Sequence, residues 1–157
     1  AAWVLLASEE AVQKWGLKPI GKIVDSQWSG LEPEQMGLGP VHASTPILQR
    51  HGLSLADIDY WELNEAFAAQ VLGCQAAWKD ETYCREQLDL PGAFGEIAED
   101  RLNVDGGAVS IGHPVGASGA RIVLHLLHVL RRNQAKRGMA TICIGGGLGG
   151  AMLVEAL

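Results

Sequence analysis

The uneven placement of glycine constrains this chain more than any other feature. Of 157 residues, 20 are glycine, nearly twice the ordinary ~7%. The excess collects late, at 106–119 and 145–150. The first cluster, Gly106-Gly107-Ala108-Val109-Ser110-Ile111-Gly112-His113-Pro114-Val115-Gly116-Ala117-Ser118-Gly119-Ala120-Arg121, surrounds a single histidine. The second, Cys143-Ile144-Gly145-Gly146-Gly147-Leu148-Gly149-Gly150, follows a single cysteine. Glycine lets backbone turn sharply and lets other groups approach it closely. The fold must therefore bring backbone close to a histidine and a cysteine.

Hydrophobic patterning supplies the frame. Trp3 to Ala7 is a short apolar run that predicts a buried strand. Ser8 can cap a helix to Trp15, with Glu9 and Glu10 suiting its positive end and Gly16 ending it. Ile20 to Trp28 reads as a strand, and 29–40 as a loop around Met36-Gly37-Leu38-Gly39-Pro40. A helix is expected over Ala43–His51, with Pro46 in its first turn and Gly52 behind it. Ser54-Leu55-Ala56-Asp57 resembles a capping box. Ile58–Leu63 reads as a strand, Glu65–Lys79 as a helix, and 80–101 as an irregular surface excursion with room for one short helix. Leu102–Val104 opens another strand. Gly119–Arg132 is helical, with Ala120, Val123, Leu127 and Leu130 on one face. Met139–Ile144 and Ala151–Leu157 are strands joined by a glycine turn, which suggests an antiparallel pair. Strands and helices alternate elsewhere, so the expected class is α/β: a mixed five-stranded sheet with helices on both faces, layered α-β-α.

Composition narrows the function classes. A net charge of −6 argues against a nucleic-acid partner. No apolar run approaches the ~20 residues of a membrane span. The three cysteines form no CxxC pair, so neither a disulfide framework nor a metal site is expected, and a reducing, cytoplasmic compartment fits. The first residues lack a basic region and run into Ser8-Glu9-Glu10, unlike a signal peptide. With no initiator Met, the opening looks like a strand cut near its start.

Three stretches carry chemistry. Asn64-Glu65-Ala66-Phe67-Ala68 lies at the exit of a strand, where sites collect in such sheets. Asn64 can be a helix cap, or its amide can hold a water or a substrate carbonyl. Glu65 can simply suit the helix dipole, and Phe67 reads as core on composition. His113 precedes Pro114, which disfavours helix there, so its imidazole sits on a loop as a candidate acid, base or oxyanion donor. The alternative is a glycine-rich turn with an incidental histidine. There is no GxxxxGK[ST] for a P-loop. Cys143, at a strand end before glycines, can present its sulfur and nearby N–H groups to a ligand, an oxyanion hole in kind; the alternative is a buried structural cysteine. Gly145, Gly147 and Gly150 spell GxGxxG, but the seven residues that follow leave no room for a crossover helix.

Taken together, Asn64 in NEAFA, His113 in GGAVSIGHPVGASGAR and Cys143 in CIGGGLGG resemble the thiolases, the acetyl-CoA acetyltransferase and 3-ketoacyl-CoA thiolase family. MGLGP at 36–40 adds to the likeness, which extends over essentially the whole chain but only the C-terminal part of the family's subunit. The resemblance implies that residues 1–18 are the last strand and helix of the N-terminal half and that 19–157 form the C-terminal domain. It implies acyl transfer to coenzyme A through a cysteine thioester, with the nucleophilic cysteine in the absent half; neither Cys74 nor Cys84 stands in its motif. His113 would activate that nucleophile and donate to the thioester oxygen, and Asn64 would position a water in the same oxyanion hole. Cys143 would be the second acid/base, a thiol tuned by a neighbouring imidazole. Gly145 would lend its backbone N–H to a second oxyanion hole. Met36 and Phe67 would line the acyl or pantetheine channel. Coenzyme A enters as substrate, with no permanently bound cofactor. Partners would be acyl-CoA, CoA, the N-terminal half, and further copies in a homodimer or homotetramer.

Three rival readings stand beside this one. A decarboxylating ketoacyl-synthase relative would carry histidine or asparagine where Cys143 stands. A truncated or split-gene product would act as a non-catalytic assembly module. A dinucleotide-binding domain rests on GxGxxG alone. By the leading reading, the 157 residues alone are inactive.

Overall fold

Alternation along the two C-terminal strands decides the layering. A computed structural model describes residues 1–157. Strand β3 (Arg137–Ile144) and strand β4 (Leu148–Ala156) run antiparallel, with Ile144 opposite Leu148 across the glycine turn. Met139, Ala151 and Leu153 point into one buried cluster, and Ala140, Ile142, Met152 and Val154 into another. Side chains two apart share a face, so both faces of this hairpin are apolar and both need a helical cover. Helix α2 (Gly39–His51) covers the first face with α3 (Ala68–Lys79), and the long helix α6 (Val115–Arg132) covers the second.

The sheet has four strands, in the order β1-β4-β3-β2. β1 (Gly21–Gly30) is antiparallel to β4, and β2 (Tyr60–Leu63) is parallel to β3. Five strands were expected, and the missing one is explained at Asn103. Leu102 makes only an isolated parallel bridge to Trp61. Asn103 then turns left-handed, φ 46°, which an extended strand cannot tolerate. Its side chain takes over the ladder: Oδ1 accepts from Leu63 N–H (3.0 Å), and Nδ2 donates to Leu63 O (2.9 Å). The other expected strand, Trp3–Ala7, finds no ladder partner in the chain and stays exposed, Trp3 at 87%. With Ile23, Val123, Leu124 and Leu127 it lines an open apolar trough of roughly 890 Å³.

Local signals set most helix ends. Helix α1 (Glu9–Trp15) starts where Ser8 Oγ accepts from Ala11 N–H (3.2 Å) and stops at Gly16 in the left-handed conformation. Helix α2 begins earlier than expected, at Gly39, which places Pro46 in its interior; the Gly39-Pro40 start satisfies the preference for proline in a first turn. Residues 33–38, expected as loop, form a 3₁₀ turn. The polar excursion holds helix α4 (Glu81–Leu88), capped by Asp80 and anchored in the core by Cys84 and Leu88.

Candidate functional site

The sheet order brings the chemistry-bearing segments to one end. β2 and β3 are parallel, with Leu63 opposite Thr141. Asn64 N–H donates to Thr141 O (2.9 Å), so Asn64 leaves β2 beside the last residues of β3, where Cys143 sits. C-terminal ends of parallel strands are where ligands bind in open α/β sheets. Asn64 does not cap α3: that helix starts at Ala68 with Phe67 as its N-cap residue. Glu65 is likewise ahead of α3 and plays no part in its dipole.

Freed from capping, the buried Asn64 amide turns to the histidine. Its Nδ2 lies 3.4 Å from His113 Nε2, linking residues 49 apart in sequence, and its Oδ1 is buried without a protein partner. His113 is half-buried, on the loop between α5 (Ala108–Ile111) and α6, as Pro114 predicts. Its other ring nitrogen, Nδ1, lies 2.7 Å from Ser118 Oγ in the first turn of α6.

Glu65 holds the loop that carries His113. One carboxylate oxygen accepts from Asn103 Nδ2 (2.8 Å), the other from Val109 N–H (2.9 Å) at the start of α5. The carboxylate lies against Gly107, where any Cβ would overlap it. A side chain at 107 would have to push the Glu65 carboxylate off this loop. Beside this, His125 Nδ1 lies 2.7 Å from a Glu62 carboxylate oxygen on β2 and His125 Nε2 lies 3.0 Å from Asp105, which also pairs with Arg132. Burial raises the Glu62 carboxyl above the usual range, against the pull of His125; the Arg132 guanidinium lowers Asp105.

Cys143 is buried at the end of β3, opposite Gly149. Burial raises its thiol, with its own backbone amide pulling weakly the other way; the expected imidazole tuning is not among the causes. Cys74, pushed up to about 12 by burial, donates to Gly37 O (3.3 Å), and Cys84 donates to backbone carbonyls. Both are structural thiols. Gly145 opens the β3–β4 turn, exposed, with its N–H given to no acceptor in the chain. Met36 is half-buried on the 3₁₀ turn whose first residue, Pro33, packs against Gly147. Phe67 is 67% exposed, so it is not a core residue. The site thus joins Asn64 to His113 directly and sets Cys143 on the neighbouring strand end; it adds Ser118 and Asn103, which the sequence reading passed over, and gives Glu65 a loop-holding role in place of the helix dipole.

An α-β-α sandwich with a histidine–asparagine pair and a cysteine at its strand ends defines an α/β domain with a candidate site at the sheet's C-terminal edge. Comparison with known proteins names the family. The family model described as thiolase, C-terminal domain, matches residues 17–156, and the chain belongs to the thiolase family through that domain. It is 42% identical to an acetyl-CoA acetyltransferase of Syntrophomonas wolfei over 159 aligned residues, covering 100% of this chain and 36% of the relative. It is 41% identical to the mitochondrial 3-ketoacyl-CoA thiolase of Rattus norvegicus, covering 99% of this chain and 35% of that one. Among solved structures, human mitochondrial 3-ketoacyl-CoA thiolase in complex with CoA superposes with a TM-score of 0.80 at 42% identity, over 96% of this chain and 34% of that chain. The chain therefore spans about a third of the length of these relatives.

Proposed function

We propose that this chain supplies the acid–base half of a thiolase site: transfer of an acyl group between a 3-ketoacyl-CoA and coenzyme A, or the reverse Claisen condensation. The observation that carries the reading is the 3.4 Å approach of Asn64 to His113 at the strand ends, in a chain whose relatives are named for this chemistry. His113 Nε2 takes the proton of a nucleophilic thiol supplied by an N-terminal half, then donates to the thioester oxygen. Asn64 Oδ1, buried and unpaired, suits a water held in the same hole. Cys143 serves the second step. Burial keeps its thiol protonated at neutral pH, the state that protonates the enolate leaving in cleavage; condensation uses the same sulfur as thiolate to remove the α-proton. Gly145 offers an uncommitted N–H to the enolate oxygen. Met36 and Phe67 flank the approach of the acyl-pantetheine chain. Residues 1–18 complete the N-terminal half, residues 19–157 form the C-terminal domain, and the complete subunit assembles as a homodimer or homotetramer.

The test joins these 157 residues to a thiolase N-terminal half carrying the nucleophile. The joined protein cleaves acetoacetyl-CoA with CoA, and Cys143→Ala abolishes condensation. Full rates in both directions with Cys143→Ala refute the role given to Cys143. The 157 residues alone show no turnover.

A further inference from the structure

The hydrogen bonds around His113 determine which ring nitrogen carries the proton, and one residue outside the described chemistry decides it. Ser118 is fully buried in the first turn of α6. Its Oγ lies 3.2 Å from Pro114 O and 2.7 Å from His113 Nδ1. A carbonyl oxygen only accepts, so the hydroxyl proton goes to Pro114 O. The oxygen's lone pairs then face the ring, and the short contact requires an N–H at Nδ1. Turning the hydroxyl toward the ring instead would leave Nδ1 to accept and forfeit the bond to Pro114 O. Ser118 N–H also donates to Pro114 O (3.0 Å), so the backbone of this turn fixes the serine rather than leaving it to rotate with solvent.

We propose that Ser118 is a positioning residue that holds neutral His113 in the Nδ1–H tautomer. The inference deepens the acid–base reading above and rests on it for its use. With the proton on Nδ1, Nε2 presents a bare lone pair toward Asn64, whose Nδ2–H donates to it. The same nitrogen that accepts a proton from a thiol then donates it to an oxyanion, with no movement of the ring. Imidazole in water favours the opposite tautomer, with Nε2 protonated and useless as a base, so the serine works against an intrinsic preference. A second-layer group that fixes an imidazole tautomer is a known way to prepare a base.

The test is a two-bond ¹H–¹⁵N correlation spectrum of the ¹⁵N-histidine-labelled chain, without substrate, at a pH where His113 is neutral. The expected wild-type pattern is a pyrrole-type Nδ1 and a pyridine-type Nε2 at His113. Ser118→Ala reverses or averages that pattern while His42, His51 and His128 keep theirs, and Ser118→Thr, which can still bond the carbonyl four residues back, restores it. A pyridine-type Nδ1 in the wild type overturns the proposal, as does an unchanged pattern in Ser118→Ala. Should Ser118→Ala fail to fold, the wild-type pattern decides. Because the readout needs no CoA, its failure is separable from failure of the Cys143→Ala turnover test.

Discussion

Gly149 is where a single methyl group should do most damage. It lies on β4 opposite Cys143 on one side and Ser29 on the other, and the N-terminus of α2 rests on it. A Cβ there would lie 2.6 Å from Gly39 Cα and closer still to that residue's carbonyl group. Ordinary contact begins near 3.4 Å, so α2 and β4 would have to part by at least 0.8 Å (3.4 minus 2.6). The obstruction is backbone, which cannot rotate aside, and Gly39 O also accepts from Ser29 Oγ (3.3 Å). Overpacking a tight core typically costs about 1–3 kcal/mol, and rigid backbone on both sides puts Gly149→Ala at about 3 kcal/mol. For a domain of this size that is a melting-point loss of roughly 6–12 °C. Gly145→Ala is the control: nothing lies within 4 Å of its Cβ and its φ is ordinary, so it should stay within about 0.5 kcal/mol of wild type while keeping its N–H. Urea denaturation of both variants measures the contrast. A Gly149→Ala curve within about 0.5 kcal/mol of wild type would refute the claimed contact between α2 and β4.

Glu62→Gln should change the pH dependence of stability. The folded carboxyl binds protons more tightly than the unfolded one, because burial raises it above 4.5. Wild-type stability therefore falls as pH climbs from 4.5 through the raised value, and the glutamine variant should lose that slope; an identical slope in urea midpoints between pH 4 and 7 would exclude it. Glu65→Ala leaves Val109 N–H without its acceptor and removes one of the two acceptors of Asn103 Nδ2, so the Val109 amide should exchange with deuterium at least ten-fold faster. Unchanged protection would mean that the carboxylate does not hold the loop. Gly119→Ala, in a helix interior with open space around it, should stabilise the chain by about 0.5–1 kcal/mol, read from the same denaturation curves; a loss would disprove the open-space reading.

The fold was legible where local chemistry and tertiary need agree. The Ser8 hydroxyl and the left-handed backbone of Gly16 bracket α1, and the apolar stripe of Ala120, Val123, Leu127 and Leu130 belongs to a helix that covers one face of the sheet. The glycine turn and its two flanking strands followed from pattern alone. The failures share a cause: a strand exists only if it finds a partner. Trp3–Ala7 has a strand's composition and no ladder, and Leu102–Val104 is cut short by a left-handed Asn103 whose amide substitutes for backbone. Alternation along a segment says nothing about either event. The helix in the polar excursion was visible only as a possibility, since its anchoring depends on Cys84 and Leu88 reaching a core built elsewhere.

At the site, residue type was legible and chemical state was not. His113, Asn64 and Cys143 stand out because a proline, a strand exit and a glycine run isolate them. What each can do depends on partners that sequence distance hides. The Asn64 amide could equally have capped a helix until α3 was found to start at Ala68, and only then is its Nδ2 free to meet an imidazole 49 residues away. Cys143 was expected to be tuned by a histidine; burial dominates instead, and in the opposite direction to a readily formed thiolate. His113 has its decisive partner five residues on, in Ser118, a spacing that matches no periodic pattern because Pro114 bends the chain between loop and helix. The glycines that first drew notice divide accordingly. Gly107 and Gly149 are glycine because Glu65 and Gly39 press on them, whereas Gly119 and Gly145 meet nothing within 4 Å in this chain. Contact inside the 157 residues explains the first pair. For Gly145, on the reading proposed above, the use lies in its N–H, which an alanine would supply equally well, so backbone at that corner matters more than the missing side chain.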